Sequence, residues 1–66
     1  MEAPNAHVLI IEDNEEVREN LAEILELYGY QVTTAPDGLA GVKTALEQPP
    51  DIILCVRCFH RFFGFH

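Results

Sequence analysis

With 66 residues and a formal net charge of −7, the chain has room for one small domain or part of one, and it lacks the basic surface that nucleic-acid binding requires. Its hydrophobic share of 48% is that of a globular protein rather than a disordered one, although so short a chain is marginal without a staple or a partner. Charge is unevenly placed: residues 1–51 hold all eleven acidic groups against Arg18 and Lys43, whereas residues 52–66 hold Arg57 and Arg61 and no acid.

Val8-Leu9-Ile10-Ile11 is a continuous apolar, largely β-branched run that ends in Glu12-Asp13-Asn14, the pattern of a strand buried on both faces of a parallel sheet. Asn14 or Asp13 can cap a following helix, and Glu15, Glu16 and Glu19 suit its positive N-terminal end. The helix is expected over Glu15–Tyr28, with Val17, Leu21, Ile24, Leu25 and Tyr28 forming its apolar stripe and Gly29 as its stop. Tyr30–Thr34 alternates and is β-prone, so it reads as a second strand. Ala35-Pro36-Asp37-Gly38 is a turn, with Asp37 as the next cap. A second helix from Leu39 to about Gln48 would turn Val42, Ala45 and Leu46 inward and stop at Pro49-Pro50. Asp51–Cys55 is a third, apolar strand.

The order β-α-β-α-β implies a parallel sheet with right-handed crossovers. In such sheets ligands gather outside the carboxyl ends of the strands, where strand order reverses. Glu12 and Asp13 stand at that end of the first strand. Two adjacent carboxylates are hard oxygen ligands suited to Mg²⁺, and capping of the first helix accounts for them equally well.

Several segments occur together at one spacing: His7-Val-Leu-Ile-Ile-Glu-Asp-Asn14, Val17-Arg-Glu-Asn-Leu21, Gly29-Tyr-Gln-Val32, Ala35-Pro-Asp-Gly38 and Pro50-Asp-Ile-Ile-Leu-Cys55. Over residues 7–55 the chain resembles the N-terminal half of the receiver domain of bacterial two-component response regulators. The resemblance implies an α/β, flavodoxin-like (CheY-like) sheet, here partial, with strand order 2-1-3 and one helix on each face. It implies that Glu12 and Asp13 match the acidic pair that binds Mg²⁺. It places the phosphoacceptor aspartate directly after the third strand, at position 56, where this chain has Val56. Valine offers no oxygen nucleophile to a phosphoryl group. The fourth and fifth strands, which bear the family's Thr/Ser and Lys positions, are not found in this sequence. A sensor histidine kinase or a phosphotransfer protein is the expected partner. No enzymatic activity of its own, no direct nucleic-acid binding and no membrane association are expected.

The expected organisation is therefore a partial receiver domain over 1–55 and an atypical tail over 56–66. In the tail four phenylalanines crowd seven residues without helical or strand periodicity. Val56-Arg57-Cys58-Phe59-His60 can be back-translated as GTA CGA TGC TTC CAY. One A inserted after the first G gives GAT ACG ATG CTT CCA, or Asp-Thr-Met-Leu-Pro, which is the family's Asp-x-x-Met/Leu-Pro pattern. A lost base near codon 56 would thus account for the tail, and a divergent C-terminus is the alternative. Cys55-x-x-Cys58 with His60 and His66 is a weaker zinc or redox reading, with poor histidine spacing. The two cysteines do not make a disulfide framework. Residues 1–6 carry no basic leader segment and no run is long enough to cross a bilayer, so a cytoplasmic location is expected.

Two other functions compete with an incomplete phosphorelay receiver. One is a pseudo-receiver that binds a partner through its helices without phosphorylation. The other is a non-functional fragment. With no fourth strand, the third would present an adhesive edge, and with one helix per face much of Val8–Ile11 and Ile52–Leu54 would stay wet. The isolated chain is then expected to be molten, self-associated or largely unfolded.

Overall fold

The computed structural model describes residues 6–55. Five elements follow one another: β1 (His7–Ile11), α1 (Glu15–Leu27), β2 (Gln31–Ala35), α2 (Gly38–Glu47) and β3 (Ile52–Cys55). Each boundary lies within one residue of the sequence-based one. The three strands form one parallel sheet in the order β2-β1-β3. In register, Ile11 stands level with Ala35 on one side and with Cys55 on the other.

The helices begin and end where the sequence chemistry places them. Asn14 is the N-cap of α1, its side-chain Oδ1 accepting the Val17 N–H at 2.9 Å. Asp37 does the same for α2, accepting from Ala40 N–H at 2.8 Å. At the end of α1, Gly29 adopts a φ of 97°, and its N–H donates to Glu26 O at 3.0 Å while Tyr30 N–H donates to Leu25 O at 3.2 Å. This pair of bonds is a Schellman closure, which needs a left-handed residue and so glycine.

β1 is the core. Val8, Leu9, Ile10 and Ile11 are all buried, with Leu9 and Ile10 at 0% exposure. Alternation along the strand divides them: Leu9 and Ile11 join Ala35, Ala40, Ala45 and Cys55 on the α2 side. The expectation that β1 would stay wet is therefore wrong. β1 is central, flanked by a strand on each side, and the two helices suffice to cover it. The expectation holds for Ile52 and Ile53 of β3, exposed at 47% and 54%, but not for Leu54, which is half-buried.

Two helix faces also differ from the sequence reading. In α2 the inward residues are Ala40, Gly41, Thr44 and Ala45, while Val42 and Leu46 point outward. Gly41 is buried against Ile11, and a Cβ there would overlap that side chain. The small residues let the helix approach the sheet closely, and closeness outweighs the larger apolar areas of Val42 and Leu46. In α1 the half-buried residues are Arg18, Leu21, Ala22 and Leu25, whereas Val17, Ile24 and Tyr28 are exposed. The apolar stripe is wider than the surface a three-stranded sheet offers it.

Candidate metal site at the end of the first strand

Glu12 continues β1 past its last strand residue: its N–H donates to Ala35 O at 3.1 Å, extending the ladder toward β2. The chain then turns into α1. Glu12 is 6% exposed, the only buried polar or charged residue among those described. A carboxylate this buried needs partners, and Oε2 accepts the Asn14 N–H at 3.0 Å. The Glu12 carbonyl accepts from Arg18 Nη1 at 2.9 Å. Asp13, the next residue, is exposed.

The cap of α1 is Asn14, so neither carboxylate is needed as the N-cap. An ionised carboxylate has two oxygens and about four acceptor positions, so one bond to Asn14 does not exhaust Glu12. Both donors are hard oxygens, and Mg²⁺ takes one or two carboxylates while keeping several waters. The donor set thus fits that ion, though only as a sparse site. Among the described residues no group of three or more His, Cys, Asp or Glu side chains could hold a metal.

The remaining sequence-derived positions fall elsewhere. Val56, Cys58, His60 and His66 lie outside the described residues, and with them the tail, its reading-frame explanation and the zinc reading. Cys55 is half-buried at the end of β3 and is not a free cysteine. An open cleft of about 350 Å³ runs between α1 and β2, lined by Arg18, Glu19, Ala22, Glu23, Glu26, Val32 and Thr34. Its three glutamates make it unsuited to an anionic ligand.

The sequence reading missed two features. Arg18 was not singled out, although a lone cation at the fourth position after Asn14, among five glutamates of α1, is a visible signal. The second is a polar cluster at the opposite, amino end of the sheet. His7 N–H donates to Asp51 Oδ2 at 2.8 Å, Asp51 N–H donates to His7 O at 2.8 Å, and His7 Nε2 pairs with Thr33 Oγ1 at 2.6 Å. Residues forty-four apart carry no local signal of such a pairing.

Comparison with known proteins decides the family. The sequence profile of the response regulator receiver domain matches residues 8–64. The chain belongs to that family. It is 42% identical over 52 residues to the transcriptional regulatory protein CseB of Streptomyces coelicolor, a match that covers 79% of this chain and 22% of CseB. It is 40% identical over 47 residues to the transcriptional regulatory protein YxdJ of Bacillus subtilis, covering 71% of this chain and 20% of YxdJ. A third relative is the hybrid signal transduction histidine kinase D of Dictyostelium discoideum, 43% identical over 47 residues, covering 71% of this chain and 3% of the kinase. The chain thus spans about a fifth of the length of the transcriptional regulators it matches. The receiver domain's partial flavodoxin-like sheet accounts for the 2-1-3 order. No helix of the described residues is long and apolar enough to cross a membrane.

Proposed function

We propose that the chain is an incomplete receiver module of a two-component phosphorelay, in which Glu12 and Asp13 ligate Mg²⁺ and Val56 stands at the phosphoacceptor position. The observation that carries this reading is the acidic pair at the carboxyl end of β1, in a 2-1-3 sheet whose β3 ends beside it at Cys55. That is the place where open α/β sheets bind ligands.

When bound, the cation supplies neutralising charge to a phosphoryl group. The chain's own residues do the rest. Glu12 and Asp13 offer carboxylate oxygens, the Asn14 N–H orients the Glu12 carboxylate, and the Ala35 carbonyl and Arg18 hold its backbone. Val56 has no oxygen with which to accept the group.

In this reading residues 1–55 are the partial receiver and 56–66 the altered tail. The family match runs past that boundary to residue 64, which supports altered receiver sequence over a separate unit. A cytoplasmic setting and a sensor histidine kinase or phosphotransfer protein as partner come with the family, and one relative is itself a hybrid histidine kinase. Control of transcription, which the names of CseB and YxdJ indicate for those proteins, would need chain beyond this segment.

A second reading has its own observation. Val17, Ile24 and Tyr28 on α1, and Leu39, Val42 and Leu46 on α2, are large, apolar and exposed. Such surfaces suit a pseudo-receiver that binds a partner without phosphorylation. Incubation with acetyl phosphate and Mg²⁺, read by intact mass, tests the first reading. No acyl-phosphate adduct is expected, and Val56→Asp alone should restore labelling incompletely. Stoichiometric labelling of the chain would show that the acceptor is not position 56.

A further inference from the structure

We infer that Arg18 is a positioning residue for the divalent-cation pair, holding Glu12 and Asp13 in the geometry that a cation meets; the inference rests on the Mg²⁺ reading above. The β1–α1 turn is three residues long, Glu12 to Asn14, and Arg18 is bonded at both of its ends. Its guanidinium Nη1 donates to Glu12 O at 2.9 Å, and its backbone N–H donates to Asn14 O at 2.9 Å.

The same turn is held by three further bonds. Glu12 N–H is tied to Ala35 O, Glu12 Oε2 to Asn14 N–H, and Asn14 Oδ1 to Val17 N–H. Glu12 therefore has its amide, its carbonyl and one carboxylate oxygen engaged. Asp13 sits between two pinned residues, so the direction of its Cβ follows from the way Glu12 and Asn14 are held. The Arg18 bond is the one that links the far side of Glu12 to the helix. Without it the Glu12 carbonyl is no longer tied to α1, the turn keeps only its other bonds, and two carboxylates that must meet one ion lose part of their preorganisation.

The role is separable from charge because the two effects have opposite signs. An arginine beside a cation site repels the cation, so removing only its charge should raise affinity. Removing a clasp should lower it.

The test is Mn²⁺ binding to the full chain, followed by paramagnetic broadening of the backbone amide signals of residues 12–14 and by EPR of the free ion. Arg18→Met keeps the apolar stem and deletes the donor. It is expected to weaken binding on the order of tenfold, the usual consequence of losing an outer-shell partner. Arg18→Lys keeps the charge and one flexible donor, and should fall between Arg18→Met and the wild type. Unchanged or tighter binding by Arg18→Met overturns the inference. Should Arg18→Met fail to fold, as read by loss of β1 and β2 amide dispersion, Arg18→Lys decides: affinity below wild type supports the clasp and wild-type affinity overturns it. Wild-type binding that ignores Glu12→Gln with Asp13→Asn, or no binding at all, overturns the cation reading and this inference with it. Wild-type binding lost in that double variant but kept in Arg18→Met overturns the clasp alone.

Discussion

Gly41 of α2 lies directly on Ile11 of β1: a Cβ added to it would overlap Ile11 Cδ1 and stand 2.8 Å from Ile11 Cγ1. This contact sets how near the helix comes to the sheet, and it explains why Ala40, Gly41, Thr44 and Ala45 face inward. Gly41→Ala gains helix propensity of about 1 kcal/mol, but crowding in a filled core costs roughly 1–3 kcal/mol. A net loss is expected for alanine and a larger one for Gly41→Val, whose branched side chain cannot be accommodated by a small shift of Ile11. Chemical denaturation of the three proteins, compared at constant slope, would measure it; a stabilised Gly41→Ala would show that the helix has slack.

His7 and Asp51 exchange two hydrogen bonds of 2.8 Å at the amino end of the sheet, one through the Asp51 carboxylate and one through its N–H. Only the first depends on the side chain. Asp51→Ala should therefore cost on the order of 1 kcal/mol, because the bond is exposed to water, and should speed amide exchange at His7. Asp51→Asn, which retains an acceptor oxygen, should cost less. Equal losses in both variants would mean that the carboxylate is not what matters.

The Asn14 cap offers a control for the metal experiments, because it separates helix stability from cation binding. Asn14→Ala removes the acceptor for Val17 N–H and should destabilise the fold by about 1 kcal/mol. Its backbone N–H remains to hold Glu12 Oε2. Mg²⁺ affinity should accordingly change little in Asn14→Ala, whereas helical ellipticity should fall on heating at a lower temperature than in the wild type.

Two carboxylates are a sparse ligand set for a strongly hydrated ion, so Mg²⁺ affinity is expected to be on the order of millimolar at best. Calorimetric or NMR titration would give the value. Glu12→Gln with Asp13→Asn together should abolish it. Tight binding that survives both substitutions would place the ion elsewhere in the chain.

Among the described residues β3 pairs only with β1, and Ile52 and Ile53 are exposed beside its open side. An uncovered apolar edge is a template for another strand. With β1 buried, the wet surface is confined to β3 and the outer faces of the helices, so self-association through that edge is favoured over general unfolding. Sedimentation at rising concentration should show it, and Ile53→Lys should suppress it. A monomer with one sharp thermal transition at all concentrations would favour the pseudo-receiver.

The sequence by itself determined the order and limits of all five elements and the place of the acidic pair, because these rest on local chemistry. A strand period, Asn14 and Asp37 as caps and Gly29 as a left-handed stop act within a few residues of themselves. It also carried the family, through motifs whose spacing residues 7–55 preserve. Which side of each helix faces the sheet was decided only by tertiary structure. Apolarity marked Val42 and Leu46 for the interior, yet the fit of Gly41 onto Ile11 turned them out, because packing at contact distance depends on shape as well as on hydrophobicity. The engagement of Glu12 was decided there too. Its amide is held by Ala35, which arrives from another strand, and its carbonyl by Arg18, which comes within reach only once α1 has wound a full turn past the Asn14 cap.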